Sequence, residues 1–160
     1  MKIHHFILLT SLFTFNVNCQ SNPNKKKDNS IISKDIQSIE KIEILEQSRG
    51  INKSFVLNST QKIATINGNK LNKVTEIDEW SSVITEVNKI NISQLSSYIA
   101  PTDKRYSDAA MATTIKITLK GKEYSSNSFD AGNPPKELAA LYKILKEQAD
   151  KIPNPSRSNF

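Results

Sequence analysis

Residues 114–120 show the clearest pattern in the chain. Ile115, Ile117 and Leu119 alternate with Thr114, Lys116, Thr118 and Lys120. A period of two, apolar one way and polar the other, specifies a strand buried on one face. Gly121-Lys122 suits a two-residue turn with glycine first. That register pairs Leu119 with Tyr124 on the core face and Lys120 with Glu123 on the wet face. Ile42 and Ile44, with Glu43 between them, predict a strand over 39–48. Ile32, Ile36 and Ile39 have helical spacing, so the approach to that strand reads either way. Gly50 breaks the run. The segment "KSFVLNS" predicts a second strand, with Phe55 and Leu57 on one face and Val56 on the other. In "KIATINGNKLNKV", Asn67-Gly68 favours the left-handed backbone of a hairpin turn, although apolar alternation on its arms is poor.

Two stretches have helical periodicity. Ile77, Trp80, Ile84, Val87 and Asn91 follow a 3-4-3-4 spacing, and Val83 and Ile90 widen the apolar stripe. Thr75 is the expected cap, with Asp78 three residues on. Trp80 reads as a core anchor in preference to a ligand-stacking ring. The second helix begins at "GNPPKEL", with Asn133 as N-cap and Pro134 at the first helical position. Leu138, Leu141, Leu145 and Ile152 form its stripe, with Ile144 and Ala149 alongside, and Pro153 ends it. Half-buried strands and two one-faced helices imply an α+β fold: an antiparallel sheet of about four to five strands with both helices on one face. Trp80 and Leu145 are expected to be buried on the facing stripes.

The N-terminus has a different pattern. Lys2 precedes an uncharged, mostly apolar run from Phe6 to Val17, and the only cysteine, Cys19, stands where that run meets a polar tail. The run has signal-peptide length. It falls short of the roughly 20 apolar residues a spanning helix needs. A lone cysteine makes no intramolecular disulfide. Residues 1–30 resemble the signal and lipid-attachment site of bacterial lipoproteins, with Asn16 and Asn18 where that pattern usually has leucine and a small residue. The resemblance implies that Cys19 becomes the first residue of the mature chain and carries acyl chains. Ordinary signal cleavage nearby is the alternative. One acyl chain holds only marginally at about 0.8 kcal/mol per buried methylene, so multiple acylation is what makes such an anchor stable. Gln20 to Ser30 is too polar to bury surface and reads as a flexible tether. Lys25, Lys26 and Lys27 could touch anionic head groups. The expected organisation is a signal peptide over 1–18, the attachment cysteine and tether over 19–30, one domain over 31–152 and a loose tail over 153–160.

Charge adds little. The whole chain carries +6, but from Ile31 onward 18 basic residues face 15 acidic ones. No segment interleaves basic residues with aromatics, so nucleic acid is not an expected partner. No acidic run follows Cys19. In surface-exported lipoproteins such a run acts as the export signal, so the expected location is a membrane of the bacterial envelope, facing the periplasm.

The chemistry is mostly an absence. His4 and His5 lie in the expected signal peptide, which leaves a mature chain without histidine and with cysteine only at the anchor. That removes Ser-His-Asp and Cys-His nucleophile systems and the usual zinc sites. "SIEK" at 38–41 and "STQK" at 59–62 match S-x-x-K, but they fall in expected strands or turns, and the companion motifs are missing. The four glycines are too scattered for a phosphate loop. Asp103 and Asp108 lack the oxygen pattern of a calcium loop. No cofactor or metal is expected. A pair of distant carboxylates serving glycoside hydrolysis stays open.

Two irregular segments hold the remaining polar candidates. "APTDKRYSDAAM" at 100–111 is a long connection, and such loops are usually functional or mobile. "SFDAGNPP" joins the last strand to the last helix and carries Asp130, while "QSRG" adds Arg49. The S-R-G, K-R-x-x-D and F-D-x-G-x-P-P elements are similar to those of small bacterial lipoproteins of unassigned activity. Arg49, Arg105, Asp108 and Asp130 are therefore the candidate binding or loop-pinning residues, and an ion pair among them is favoured over a ligand site. The expected function is a lipid-anchored binding or structural module without catalysis. It would be partnered by the membrane through Cys19 and by an envelope protein or small anionic ligand. An inhibitor of an envelope enzyme, or a carboxylate-based hydrolase, is the alternative.

Overall fold

The computed structural model describes residues 39–153. The expected signal peptide, Cys19, the tether, residues 31–38 and the tail from Asn154 lie outside the described residues. An antiparallel sheet forms one layer, ordered β4-β3-β2-β1-β5-β6, with β7 also paired to β5. The strands are β1 (Ile39–Ser48), β2 (Ile51–Leu57), β3 (Gln61–Ile66), β4 (Asn69–Val74), β5 (Ala112–Leu119), β6 (Lys122–Ser125) and β7 (Phe129–Asp130). Among the described residues two α-helices, α1 (Ile77–Val87) and α2 (Ala139–Asp150), form the other layer. The α+β class is as expected, with seven strands where four or five were anticipated. β4, mostly exposed, is the second arm of the expected Asn67-Gly68 hairpin. The two-residue β7 carries no apolar alternation to announce it.

Ile42 and Ile44 of β1, Phe55 and Leu57 of β2, and Ile115 and Ile117 of β5 all turn to the helices and are buried. Ile39 is also buried, although it stands three positions before Ile42 and so out of step with the period of two. The register of β1 against β5 shifts between Ile39 and Lys41, and this bulge returns Ile39 to the core face. The helical alternative for Ile39 is thereby settled as strand. Asn67 and Gly68 both have positive φ, 48° and 87°, as the expected hairpin turn requires. Edge strand β4 exposes Lys70 and Lys73, charges that discourage pairing with another chain.

The β5–β6 turn falls one residue earlier than the sequence reading places it. Lys120 (φ 50°) and Gly121 (φ 72°) are the two turn residues, so Leu119 pairs with Lys122 and Thr118 with Glu123. Tyr124 lies opposite Ile117, not Leu119. Glycine takes the second of two left-handed positions here, not the first of a mirror type II turn. The shift moves the partner by two residues, so Tyr124 stays on the core face.

Both helix starts also differ from expectation. Thr75 continues the hairpin, its N–H bonded to the Thr60 carbonyl, so Glu76 is the cap and the Glu79 carboxylate accepts the Glu76 N–H at 3.1 Å. Ile77 is consequently exposed, and the buried face of α1 is Val83, Ile84 and Val87. Trp80 packs against the core from its edge and is half-buried, a correction to its expected burial. Asn133 does not cap α2. Its N–H bonds to the Asp130 carbonyl, and the chain makes a 3-10 turn at Lys136–Leu138 before α2 begins. Leu138, Leu141, Leu145 and Ile152 are all buried as their spacing requires. Leu145→Ala should therefore cost about 2–5 kcal/mol in chemical denaturation, the range for a buried leucine. Trp80→Ala should cost less than Leu145→Ala, and the reverse ranking would mean that the faces of α1 are misplaced.

Candidate functional site

An ion pair among the four candidates is the sequence expectation, with its partners left open; two form, Arg105 with Asp130 and Arg49 with Asp108, and they differ in kind. Alternation along β7 sends Phe129, paired with Thr113 of β5, into the core and Asp130, paired with Ala112, to the opposite face. Gln94 to Asn91 bonding closes the short 3-10 turn of Ile92–Ser97, and the connection that follows then crosses over Asp130 on its way to β5. The Asp130 carboxylate, 2% exposed, becomes the centre of a cage of donors. Thr102 donates its hydroxyl, the backbone N–H groups of Lys104 and Arg105 donate at 2.8 and 2.9 Å, and the Arg105 guanidinium donates at 3.1 Å. Asn133 donates its side-chain N–H to Thr102 Oγ1, and Arg105 donates a second time to the Thr102 carbonyl at 2.6 Å. The connection expected to be irregular thus contains a 3-10 turn of its own, Lys104–Ser107.

Electrostatics reinforces this geometry. Burial alone would raise the Asp130 pKa, but the bonds from Thr102, Arg105 and Lys104 outweigh it and bring it from 3.8 down to about 2. Burial alone would lower the Arg105 pKa, but its bonds to Asp130 and Tyr106 outweigh that and raise it above its ordinary value. Both groups are ionised across the biological pH range. The second pair, Arg49 with Asp108 at 2.9 Å, joins the β1–β2 turn to the end of the 3-10 turn. Arg49 is 90% exposed and Asp108 50%. Such a pair is worth about 0–1 kcal/mol. Asp108 ends the 3-10 turn in the left-handed region, φ 58°. The four candidates therefore form one buried and one exposed pair at the two ends of the same short turn.

The pinned connection packs Tyr98 and Ala100 against the core but holds two other apolar side chains outward. Tyr106 is 79% exposed and Ile99 85%. Arg105 lies over the Tyr106 ring at 4.4 Å and donates to its hydroxyl at 3.1 Å, so the exposed ring is itself oriented.

A second polar cluster supports the first from the helix side. Tyr142 of α2 packs edge-on to Phe129 with ring centroids 5.6 Å apart. Its hydroxyl accepts the Gly132 N–H at 2.9 Å and donates to Glu46 Oε1 at 3.2 Å. Burial, together with the Glu46 charge, pushes the Tyr142 pKa up to about 12 against the opposing Gly132 bond. Lys146 completes the cluster, 3.0 and 2.9 Å from the two Glu46 oxygens. A third cluster lies between the layers. Lys62 is fully buried and donates to Glu79 at 2.6 Å, while Lys151 reaches the other Glu79 oxygen at 3.1 Å. Burial alone would raise the Glu79 pKa, but the bonds from Lys62, the Glu76 N–H and Lys151 lower it from 4.5 to about 2.

Thr102, Glu46, Tyr142, Lys146 and Lys62 were not singled out by the sequence reading, apart from Lys62 as the end of "STQK". Glu46 does carry a signal: it continues the period-two core face of Ile42 and Ile44, where a charge needs a partner. Ser59 is exposed, and Lys62 points between the layers toward Glu79, so that S-x-x-K match builds no serine–lysine pair. Among the described residues no group of three or more His, Cys, Asp or Glu could hold a metal ion, and no helix is long and apolar enough to cross a membrane. Compared with known proteins, the chain matches no family model, no curated protein and no solved structure.

Proposed function

We propose that the chain is a lipid-anchored protein of the bacterial envelope whose domain binds a partner through the pinned connection 98–111 and catalyses no reaction. One observation carries the binding half of this reading: a buried carboxylate fixes four donors from Thr102, Lys104 and Arg105, while the neighbouring Tyr106 and Ile99 stay exposed. Internal bonding spends most of the buried polar atoms, Arg105 Nε excepted, and leaves an oriented aromatic facing outward. A segment already ordered loses less entropy on binding, and tyrosine and arginine are enriched among residues that dominate interface energetics. Arg49, largely exposed at the adjoining turn, extends that surface. The same rigidity favours, as a second reading, an inhibitor that offers this loop to an envelope enzyme.

The two carboxylates at the centres of the Asp130 and Glu79 clusters are unsuited to general-acid work. A general acid works with a raised pKa, whereas Asp130 and Glu79 are held low by cations and backbone amides. The anchoring half rests on the resemblance of residues 1–30 to lipoproteins. Cys19→Ser should move the protein from the membrane to the soluble periplasmic fraction or leave it unprocessed. Normal cleavage with unchanged membrane fractionation would refute the anchor. A photo-crosslinking residue at Tyr106 should give a discrete protein adduct in envelope preparations, and one at exposed Lys122 on the far hairpin should not. Equal labelling from both positions would remove the loop as the binding surface.

A further inference from the structure

A cleft of about 110 Å³ opens between the core face of the sheet and the C-terminal end of α2. Its floor is apolar: Ile44, Phe55, Leu71 and Ile152 line it, with Ala64 and Ala149 leaving the space. Four charged side chains, Glu46, Lys53, Lys146 and Asp150, border it. Glu46 and Lys53 face each other directly across β1 and β2, an arrangement that ordinarily gives a cross-strand ion pair. Here it does not. Glu46 turns toward α2, where Lys146 takes both of its oxygens and Tyr142 donates to one of them. Asp150, also on the rim, has an interaction of its own. Among the described residues, nothing hydrogen-bonds or ion-pairs with the Lys53 ammonium. An ammonium without a counter-charge thus stands at the mouth of a small apolar cleft whose neighbouring carboxylate is already committed.

We propose that this cleft binds a small free carboxylate with a short apolar tail, the tail on Ile44, Phe55 and Leu71 and the carboxylate on Lys53. The site is separate from the pinned connection and does not depend on it. Each half of the ligand answers one feature. The apolar floor rejects a bare anion such as acetate or phosphate, and Lys53 favours an acid over the corresponding alcohol. The volume suits a short chain and excludes a long acyl chain. Asp150 on the same rim confines the ligand's charge to the Lys53 side.

Titrating the purified full-length chain with hexanoate, read by amide NMR shifts, tests this. Saturable shifts are expected at Ile44, Phe55, Ala64 and Ile152. Hexanol, acetate and the Lys53→Gln variant should each bind about tenfold more weakly, the loss equivalent to one modest charged contact. Ala149→Leu, which fills the cleft, should abolish the shifts. Unchanged melting of both variants without ligand would show that the fold is retained. Equal affinity of Lys53→Gln, shifts elsewhere in the domain, or linear unsaturable shifts would overturn the proposal. Binding of a peptide with an apolar C-terminal residue, with none of hexanoate, would overturn the assignment to a small free acid.

Discussion

Asp130→Ala lowers the melting temperature by on the order of 10 °C or more, the consequence expected when a buried charge pair is broken from one side in a domain of this size. The substitution removes one acceptor and strands several donors. Arg105 is only 9% exposed, so its guanidinium would keep its charge with the Thr102 carbonyl and the Tyr106 hydroxyl as its remaining partners. The N–H groups of Lys104 and Arg105 would lose their acceptor, and an unmet buried donor is costly. Arg49→Ala provides the contrast. It breaks an exposed pair and should leave the melting temperature nearly unchanged. Equal, small effects from both variants would mean that Asp130 does not hold the connection.

The same carboxylate sets an acid limit. Asp130 and Glu79 both have folded pKa values lowered, from 3.8 and 4.5 to about 2. A lowered pKa means that the unfolded chain binds more protons in that window, so stability falls as pH drops. Their contribution is complete above about pH 4.5 and is lost as pH falls toward 2. Asp130→Asn should flatten the stability–pH profile over that window.

Lys62→Ala is the second large effect, a loss of about 3–5 kcal/mol as for one-sided disruption of a buried pair. Lys62 has no solvent to retreat to, and its ammonium rests on Glu79 at 2.6 Å. Gln148 completes the cluster, its amide nitrogen 3.0 Å from Glu79 Oε1 and its oxygen 3.3 Å from Lys151 in the orientation that satisfies both ends. Removing the lysine leaves both a void and a carboxylate answered mainly by the more exposed Lys151. A double variant, Lys62→Met with Glu79→Gln, should recover much of the loss, because it removes both charges and refills the space. Denaturant midpoints of the single and double variants measure this. A Lys62→Ala loss under about 0.5 kcal/mol, the size usual for a surface change, would show that the lysine is not buried.

The parts of the fold visible in the sequence are those with simple periods. Ile115 and Ile117, the Asn67-Gly68 turn and the Leu138–Leu141–Leu145 stripe each carry their own instruction. The errors occur where two local signals compete. Thr75 and Glu76 both offer a helix start, and the continued pairing of Thr75 to Thr60 decides between them. Asn133 looks like a cap but is drawn into the Asp130 cluster. Gly121 admits two turn types, and Lys120 accepting positive φ selects one. For the site, sequence could nominate Arg49, Arg105, Asp108 and Asp130 because charges in loops near strand ends need partners. It could not pair them, because Arg105 and Asp130 meet only once the connection folds back over β7. Thr102 and Tyr142 were missed for the same reason: each is an ordinary residue locally, and its role exists only through contacts 28 and 10 residues away.

On the proposed function, Asp130 holds the connection 98–111 as a rigid, preformed surface. Amide hydrogen exchange at Lys104 and Arg105 tests it most directly, because both N–H groups donate to that carboxylate from an exposed loop. Protection approaching that of the central strand amides is predicted for these two positions, and its loss in Asp130→Ala. Exchange at the rate of an unstructured peptide in the parent protein would contradict the account.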